Sequence, residues 1–339
     1  MKFVSFESEN IIIAGILVGE VVLPIGSNST KIGHTLPEQM DGLLRNWEQT
    51  ISVSKKIVDK YSQSEDVISY SLKDIKLHAP IPKPPSFRDG YAFRQHVMTA
   101  RRNRGVEMIP EFDQYPIFYF TNHNSIIGPG DVIVEDDHLK QLDFELEVAI
   151  VIGKEGRNIN SSEADNYIAG YLVMNDLSAR LLQMEEMKLN LGPAKGKDFA
   201  TSIGPYLVTV DELETKLIKT DFGDKYDLRM TAYHNGNLIS DGNVKDMNWT
   251  FAEIIERASY GVTLFPGDVI GSGTVGTGCY LELNGTRSLE AKTKGESYTS
   301  VWLNEGDLIE LEIEGLGRLQ NRIVKNPKSN SILSKKKNL

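Results

Sequence analysis

The segment "LDFELEVAIVIG", Leu142 to Gly153, places three acids at alternate positions, Asp143, Glu145 and Glu147, ahead of an uninterrupted apolar run. Successive side chains of a strand point to opposite sides. These carboxylates therefore project together, while Leu142, Phe144, Leu146 and Val148 project the other way. The plainer reading is a half-buried strand with a solvated acidic face. The alternative is electrostatic: like charges stacked this closely repel, and such an arrangement indicates a cation held between them or a shifted pKa.

Four further segments carry reactive side chains. Asp89 opens "DGYAFRQH", which ends at His96 on the start of a helix; a histidine there is either a half-exposed polar residue or a base. In "VMNDLSARLLQ" an apolar strand ends at Asn175-Asp176 ahead of a helix, and Asp176 suits a helix N-cap as well as a special role. "LGPAKGKDFATSIGP" is a glycine-rich turn carrying Lys195 and Lys197. In "FPGDVIGSGTVGTGCYLELNG" a glycine-rich loop leads to Glu282, an acid inside the otherwise apolar "CYLEL", where an exposed position on an amphipathic strand is the structural alternative.

The elements that must position these groups follow from local pattern. "FVSFESENIIIAGILVGEVVLPIG" reads as a meander of short strands. Thr35 with Glu38 forms a capping-box pair, Pro37 suits a first helical turn, and Leu43, Leu44, Trp47, Ile51 and Ile57 continue at helical spacing to about Lys60. "HAPIPKPPSF" can continue neither a helix nor a central strand and serves as an extended connector. The expected organisation is a small β-rich N-terminal domain with one helix over residues 1–80, a larger domain over 81–325 that is strand-rich with two or three helices, and a mobile polar tail over 326–339. The fold class is mainly β with some α, an α+β arrangement. "PGDVI" occurs twice, from Pro129 and from Pro266, as recurrent turn chemistry rather than a repeat array.

Composition bounds the partners. The 339 residues are 40% hydrophobic and 25% charged, which is ordinary for a soluble globular protein. A net charge of -10 repels phosphate backbones and anionic lipid, and the one dense basic cluster outside Lys335, Lys336 and Lys337 is Arg101, Arg102 and Arg104. Neither nucleic acid nor membrane is an expected partner. The single cysteine, Cys279, excludes an intrachain disulfide and a cysteine-built zinc site and fits a cytoplasmic location. "IIIAGILV" follows an acidic stretch and is too short to span a bilayer.

Taken in order, the five segments resemble the fumarylacetoacetate hydrolase family, and the likeness runs from about Pro82 to Gly315. The resemblance implies that family's rolled mixed β-sheet domain, a homodimer, and one divalent cation held by Asp89, Glu145, Glu147 and Asp176. Asp143 has no ligand counterpart. Four carboxylates without a thiolate make a hard oxygen site suited to Mg²⁺, Ca²⁺ or Mn²⁺, overcharged by two and so in need of nearby cations such as Lys197. The resemblance further implies His96 as a base oriented by Glu282, Lys197 and Gln183 as oxyanion donors, and Tyr91, Arg104, Tyr119 and Thr274 as substrate contacts. "RDGYAFRQHVMTARRNRGVEM" becomes a lid that closes over substrate. Met187 stands where the eukaryotic hydrolase has a substrate-contacting tyrosine.

The implied activity is metal-dependent hydrolysis of a carbon–carbon bond in a β-diketo acid or acylpyruvate, with fumarylacetoacetate of tyrosine catabolism as the leading substrate. The alternative is decarboxylation, hydration or isomerisation of a 2-oxo acid, chemistry that stops at the same metal enolate; decarboxylation and isomerisation need no activated water. A cation that merely holds the fold together would not require the His96–Glu282 pair.

Overall fold

The computed structural model describes residues 1–63, 66–335 and 337. Its largest sheet has twelve strands. The ten on its central path run Tyr70–Ser71, Val21–Pro24, Ile11–Val18, Lys2–Ser8, Thr201–Val208, Ile168–Asp176, Leu146–Ile152, Val269–Gly271, Phe87–Gly90 and Phe118–Phe120. The N-terminal meander forms, but Lys2 and Phe3 pair with Val208 and Leu207. Its strands thus extend the sheet that carries the candidate site. A second, five-stranded sheet runs Asn237–Asn243, Arg229–His234, Leu308–Ile313, Gly317–Lys325 and Gly130–Val134. The two Pro-Gly-Asp turns therefore feed strands of different sheets. With 30% helix and 33% strand the α+β class holds.

Strands Leu146–Ile152 and Ile168–Asp176 are buried at every position, which requires apolar cover on both faces. Leu146, Val148, Ile150 and Ile152 join Tyr171 and Val173 in one core. Ala149 and Val151 join Leu172 and Met174 in the other, which the helix Trp47–Ser62 closes through Val53 and Ile57. Alternation along each strand puts Glu147 and Asp176 on this second side, where the apolar contacts give way to acids.

The helix expected from Thr35 starts later, as a short turn Met40–Leu44 followed by Trp47–Ser62, and neither helix has a side-chain cap. The Glu38 carbonyl accepts the Ala14 amide at 2.7 Å, so this backbone is committed to the neighbouring strand. Within the polar C-terminal tail, residues 326–335 lie against the short helix Asp136–Leu139: the Ser331 hydroxyl and the Leu333 amide donate to the Asp137 carboxylate at 2.9 and 3.0 Å. Among the described residues no helix is long and apolar enough to cross a membrane.

Candidate metal centre and active site

The acidic segment does not form one continuous strand. Leu142–Asp143 pairs briefly with Ser178–Ala179, strand pairing lapses at Phe144 and Glu145, and the long strand begins at Leu146. The three acids have different partners. Glu145 and Glu147 turn toward Asp89, at the end of Phe87–Gly90, and toward Asp176, the last residue of its strand. One ligand atom from each of these four carboxylates lies within 4.8 Å of the others, and all four residues are buried. Asp143 points elsewhere, to Arg180 and to the start of the helix Tyr280–Lys294.

Main-chain groups hold the cluster in place. The Asn175 side-chain oxygen accepts the Glu145 amide at 3.1 Å. The Gly273 amide donates to Asp89 at 3.1 Å and to Glu147 at 3.0 Å. Gly273 has φ +79°, and a Cβ there would lie 2.6 Å from the Gly90 carbonyl oxygen, so the loop requires glycine at this point. Asp176 caps no helix, since Ala179 occupies the N-cap of Arg180–Met187.

Two buried cations face these acids. Lys197 donates to Glu145 and, at 2.6 Å, to Asp176, and Arg180 reaches Glu145 at 2.7 Å and Asp143 at 2.8 Å. The response of each carboxyl depends on its distance from them. Burial alone would raise Glu145, but Lys197 and Arg180 outweigh it and hold the group at about 2. Burial, with the charge of Asp176, pushes Asp89 up to about 8. Burial and the neighbouring acids Asp89 and Glu145 raise Glu147 well above the usual range, and burial raises Asp176 despite Lys197. Five buried carboxylates around two cations thus leave protons on the acids unless further positive charge is supplied. The donor set is all oxygen, and a hard dication fits it.

Opposite the cluster is the base expected from sequence. His96 lies in the helix Arg94–Asn103, with Nδ1 2.6 Å from Glu282 Oε2, and Glu282 is 2% exposed. Glu282 does not sit on a strand. It occupies the first turn of the fifteen-residue helix Tyr280–Lys294, where the helix dipole favours a carboxylate. The two helices meet closely: Asn103 Nδ2 donates to the Glu282 carbonyl at 2.9 Å, and a Cβ on Gly285 would lie 2.5 Å from that nitrogen.

A cavity of about 740 Å³ lies between cluster and base, and Asp89, Glu145, Glu147, His96, Lys197 and Gln183 all line it. Tyr91, Arg104, Tyr119 and Thr274 reach its wall as well. Tyr91 packs edge-on to the His96 ring, and Arg104 Nε donates to the Ala100 carbonyl at 3.2 Å. Tyr119 and Thr274 bond cluster acids, Asp176 and Glu147 respectively. Gln183 lies in the helix Arg180–Met187, separated from the strand-ending Asp176 by the short strand Ser178–Ala179, and its Oε1 accepts from Arg180 Nη1 at 2.9 Å. Sequence reasoning missed Arg180. The overcharge that called for Lys197 called equally for a second cation, and Arg180 stands four residues after Asp176.

Residues 86–324 match the family model described as fumarylacetoacetate (FAA) hydrolase C-terminal, and the chain belongs to the fumarylacetoacetate hydrolase family. It is similar to the oxaloacetate tautomerase of Bacillus subtilis strain 168, at 28% identity over 335 residues, covering 95% of this chain and 100% of that protein. With the human mitochondrial oxaloacetate tautomerase it shares 29% identity over 292 residues, 86% of this chain and 81% of that one. Among solved structures, the fumarylacetoacetate hydrolase of the psychrophile Exiguobacterium antarcticum superposes with a TM-score of 0.67 at 25% identity, covering 96% of this chain and 100% of that one.

Proposed function

We propose that the chain interconverts the keto and enol forms of a short 2-oxo acid, with oxaloacetate the first substrate to test. The observation that carries this reading is that His96, paired to the buried Glu282, lines the same cavity as Asp89, Glu145 and Glu147 of the four-carboxylate cluster. The end-to-end likeness to oxaloacetate tautomerases supports it. A hard dication held by Asp89, Glu145, Glu147 and Asp176 would bind the two oxygens of a 2-oxo acid and draw electron density from the carbonyl, acidifying the adjacent C–H.

His96 supplies the base. With Nδ1 on the Glu282 carboxylate, Nε2 is the nitrogen that accepts a proton from the carbon next to the carbonyl, and Glu282 stabilises the imidazolium so formed. The electron pair of that C–H bond becomes the new C=C bond, the carbonyl π pair moves onto oxygen, and a proton from the imidazolium or from solvent completes the enol. Lys197 is unsuited to be the base: burial favours its neutral form, but the Asp176 and Glu145 carboxylates outweigh burial and keep it protonated. Two of its N–H groups are spent on those acids, and its third serves as a donor to the oxygen that gains charge. Gln183 accepts from Arg180 through its oxygen, which leaves its amide N–H groups as the second donor.

Hydrolysis of an acylpyruvate is the second reading, and the cavity favours it. Ile117, Met184, Leu281 and Trp302 extend the wall beyond the polar end, giving more room than a four-carbon acid fills. The His96–Glu282 pair does not separate the two, because it moves a proton equally well from carbon or from water. The deciding experiment incubates oxaloacetate, a series of acylpyruvates and fumarylacetoacetate with the protein in Mg²⁺ or Mn²⁺. Faster loss of the oxaloacetate enol absorbance with no change in carbon count is the expected result. Release of two acids from a longer substrate, with no effect on the enol, would make the chain a hydrolase instead.

A further inference from the structure

Asp143 is fully buried and makes four hydrogen bonds, none to the cation cluster. Oδ1 accepts the Phe144 amide at 2.9 Å and the Tyr280 amide at 2.7 Å. Oδ2 accepts the Leu281 amide at 2.9 Å and Arg180 Nε at 2.8 Å. Tyr280 and Leu281 are the first two residues of the helix that carries Glu282, and its N-cap residue, Cys279, provides no side-chain acceptor. Asp143 therefore does the capping from a distant part of the chain. Arg180, its other partner, also grips Glu145.

We infer that Asp143 is a positioning residue that couples the cation cluster to the base: through Arg180 it answers to Glu145, and through two helix amides it sets the place of Glu282 and hence of His96. The chain of contacts is continuous, Glu145 to Arg180 to Asp143 to the helix start to Glu282 to His96, and each link is a hydrogen bond or a single helical turn. Filling the cation site fixes the Glu145 carboxylate, and with it the guanidinium and the helix end. The arrangement ties the readiness of the base to occupancy of the cation site.

This inference deepens the reading of His96 as the base, and two of its three measurements need no substrate. Asp143→Asn keeps the shape but has one acceptor oxygen where the carboxylate has two. Its amide N–H groups then face other donors, and Arg180 shifts onto Glu145. The expected result, in a variant of unchanged secondary structure, is a loss of about tenfold or more in kcat at saturating cation, together with Mn²⁺ affinity about tenfold weaker by calorimetry. A loss confined to one of the two, or to thermal stability alone, would overturn the coupling. In the parent protein, adding Mg²⁺ should slow amide exchange across residues 280–285, followed by mass spectrometry. Unchanged exchange at saturating Mg²⁺ overturns the inference, and this measurement decides alone should Asp143→Asn not fold. Should none of the acids tested turn over, the proposed reaction fails, while the calorimetry and the exchange still judge the coupling.

Discussion

Glu282→Gln should lower kcat by about 10² to 10⁴, with KM and cation affinity within about threefold of the parent. The substitution preserves shape, and the glutamine oxygen still accepts from His96 Nδ1, so the ring keeps its place. What disappears is the negative charge 2.6 Å from that nitrogen, which stabilises the imidazolium in the transition state and has far less to do before it. The loss therefore falls on kcat. The helix start is unaffected, because the amides that Asp143 holds belong to Tyr280 and Leu281. His96→Asn should cost a similar factor, and the double variant little more than either alone, as expected of residues that act as one unit. Turnover close to the parent in Glu282→Gln, with normal cation binding, would show that the pair is not the base and would leave the carboxylate cluster standing. The result holds whether the proton comes from carbon or from water, so it tests the base and leaves the substrate to the panel of acids.

The parts of the site that were legible in the sequence are those encoded by short-range pattern. Alternate acids on a strand, an Asn-Asp pair at a strand end and an acid ahead of a helix with a histidine mark where polar groups emerge from regular structure, while their joint assignment to one site rests on the resemblance of the five segments taken in order. The errors are non-local. Thr35 and Glu38 have the spacing of a capping box, yet the Glu38 carbonyl is taken by Ala14 of a neighbouring strand. The equivalent signature at Thr250 and Glu253 forms a true capping box on the helix Phe251–Ser259, since no strand competes there. "CYLEL" alternates like a strand but is helical. The acceptor that caps it, Asp143, lies 137 residues earlier in the chain, beyond the reach of any local reading. For the same reason Asp143 looked like a third acid of one strand face: nothing in its own segment reveals that strand pairing lapses after it or that Arg180 and a distant helix end await it.

Cation binding should tighten by about tenfold or more per pH unit between about pH 6 and 8 and release at least one proton per site. The reason lies in Asp89, which burial and the charge of Asp176 hold at about 8 against an ordinary value of 3.8. Below pH 8 a proton occupies the place that the dication must take, so each unit of pH makes it easier to displace. The sign of the stability effect follows from the same group. A carboxyl raised in the folded state binds more protons there than in the unfolded chain, so its contribution is fully present below its unfolded value and is lost as pH rises through about 8. Cation-free protein should accordingly lose thermal stability as pH climbs toward 8, and Mg²⁺ or Mn²⁺ should restore most where the loss is greatest. Glu145 takes no part in this range, since Lys197 and Arg180 keep it ionised throughout. Calorimetry in two buffers of different ionisation enthalpy counts the protons released, and thermal melts with and without chelator read the stability. Cation affinity that stays constant from pH 6 to 8, with no proton released, would mean that Asp89 is already ionised and that the cluster tolerates its own charge without a dication.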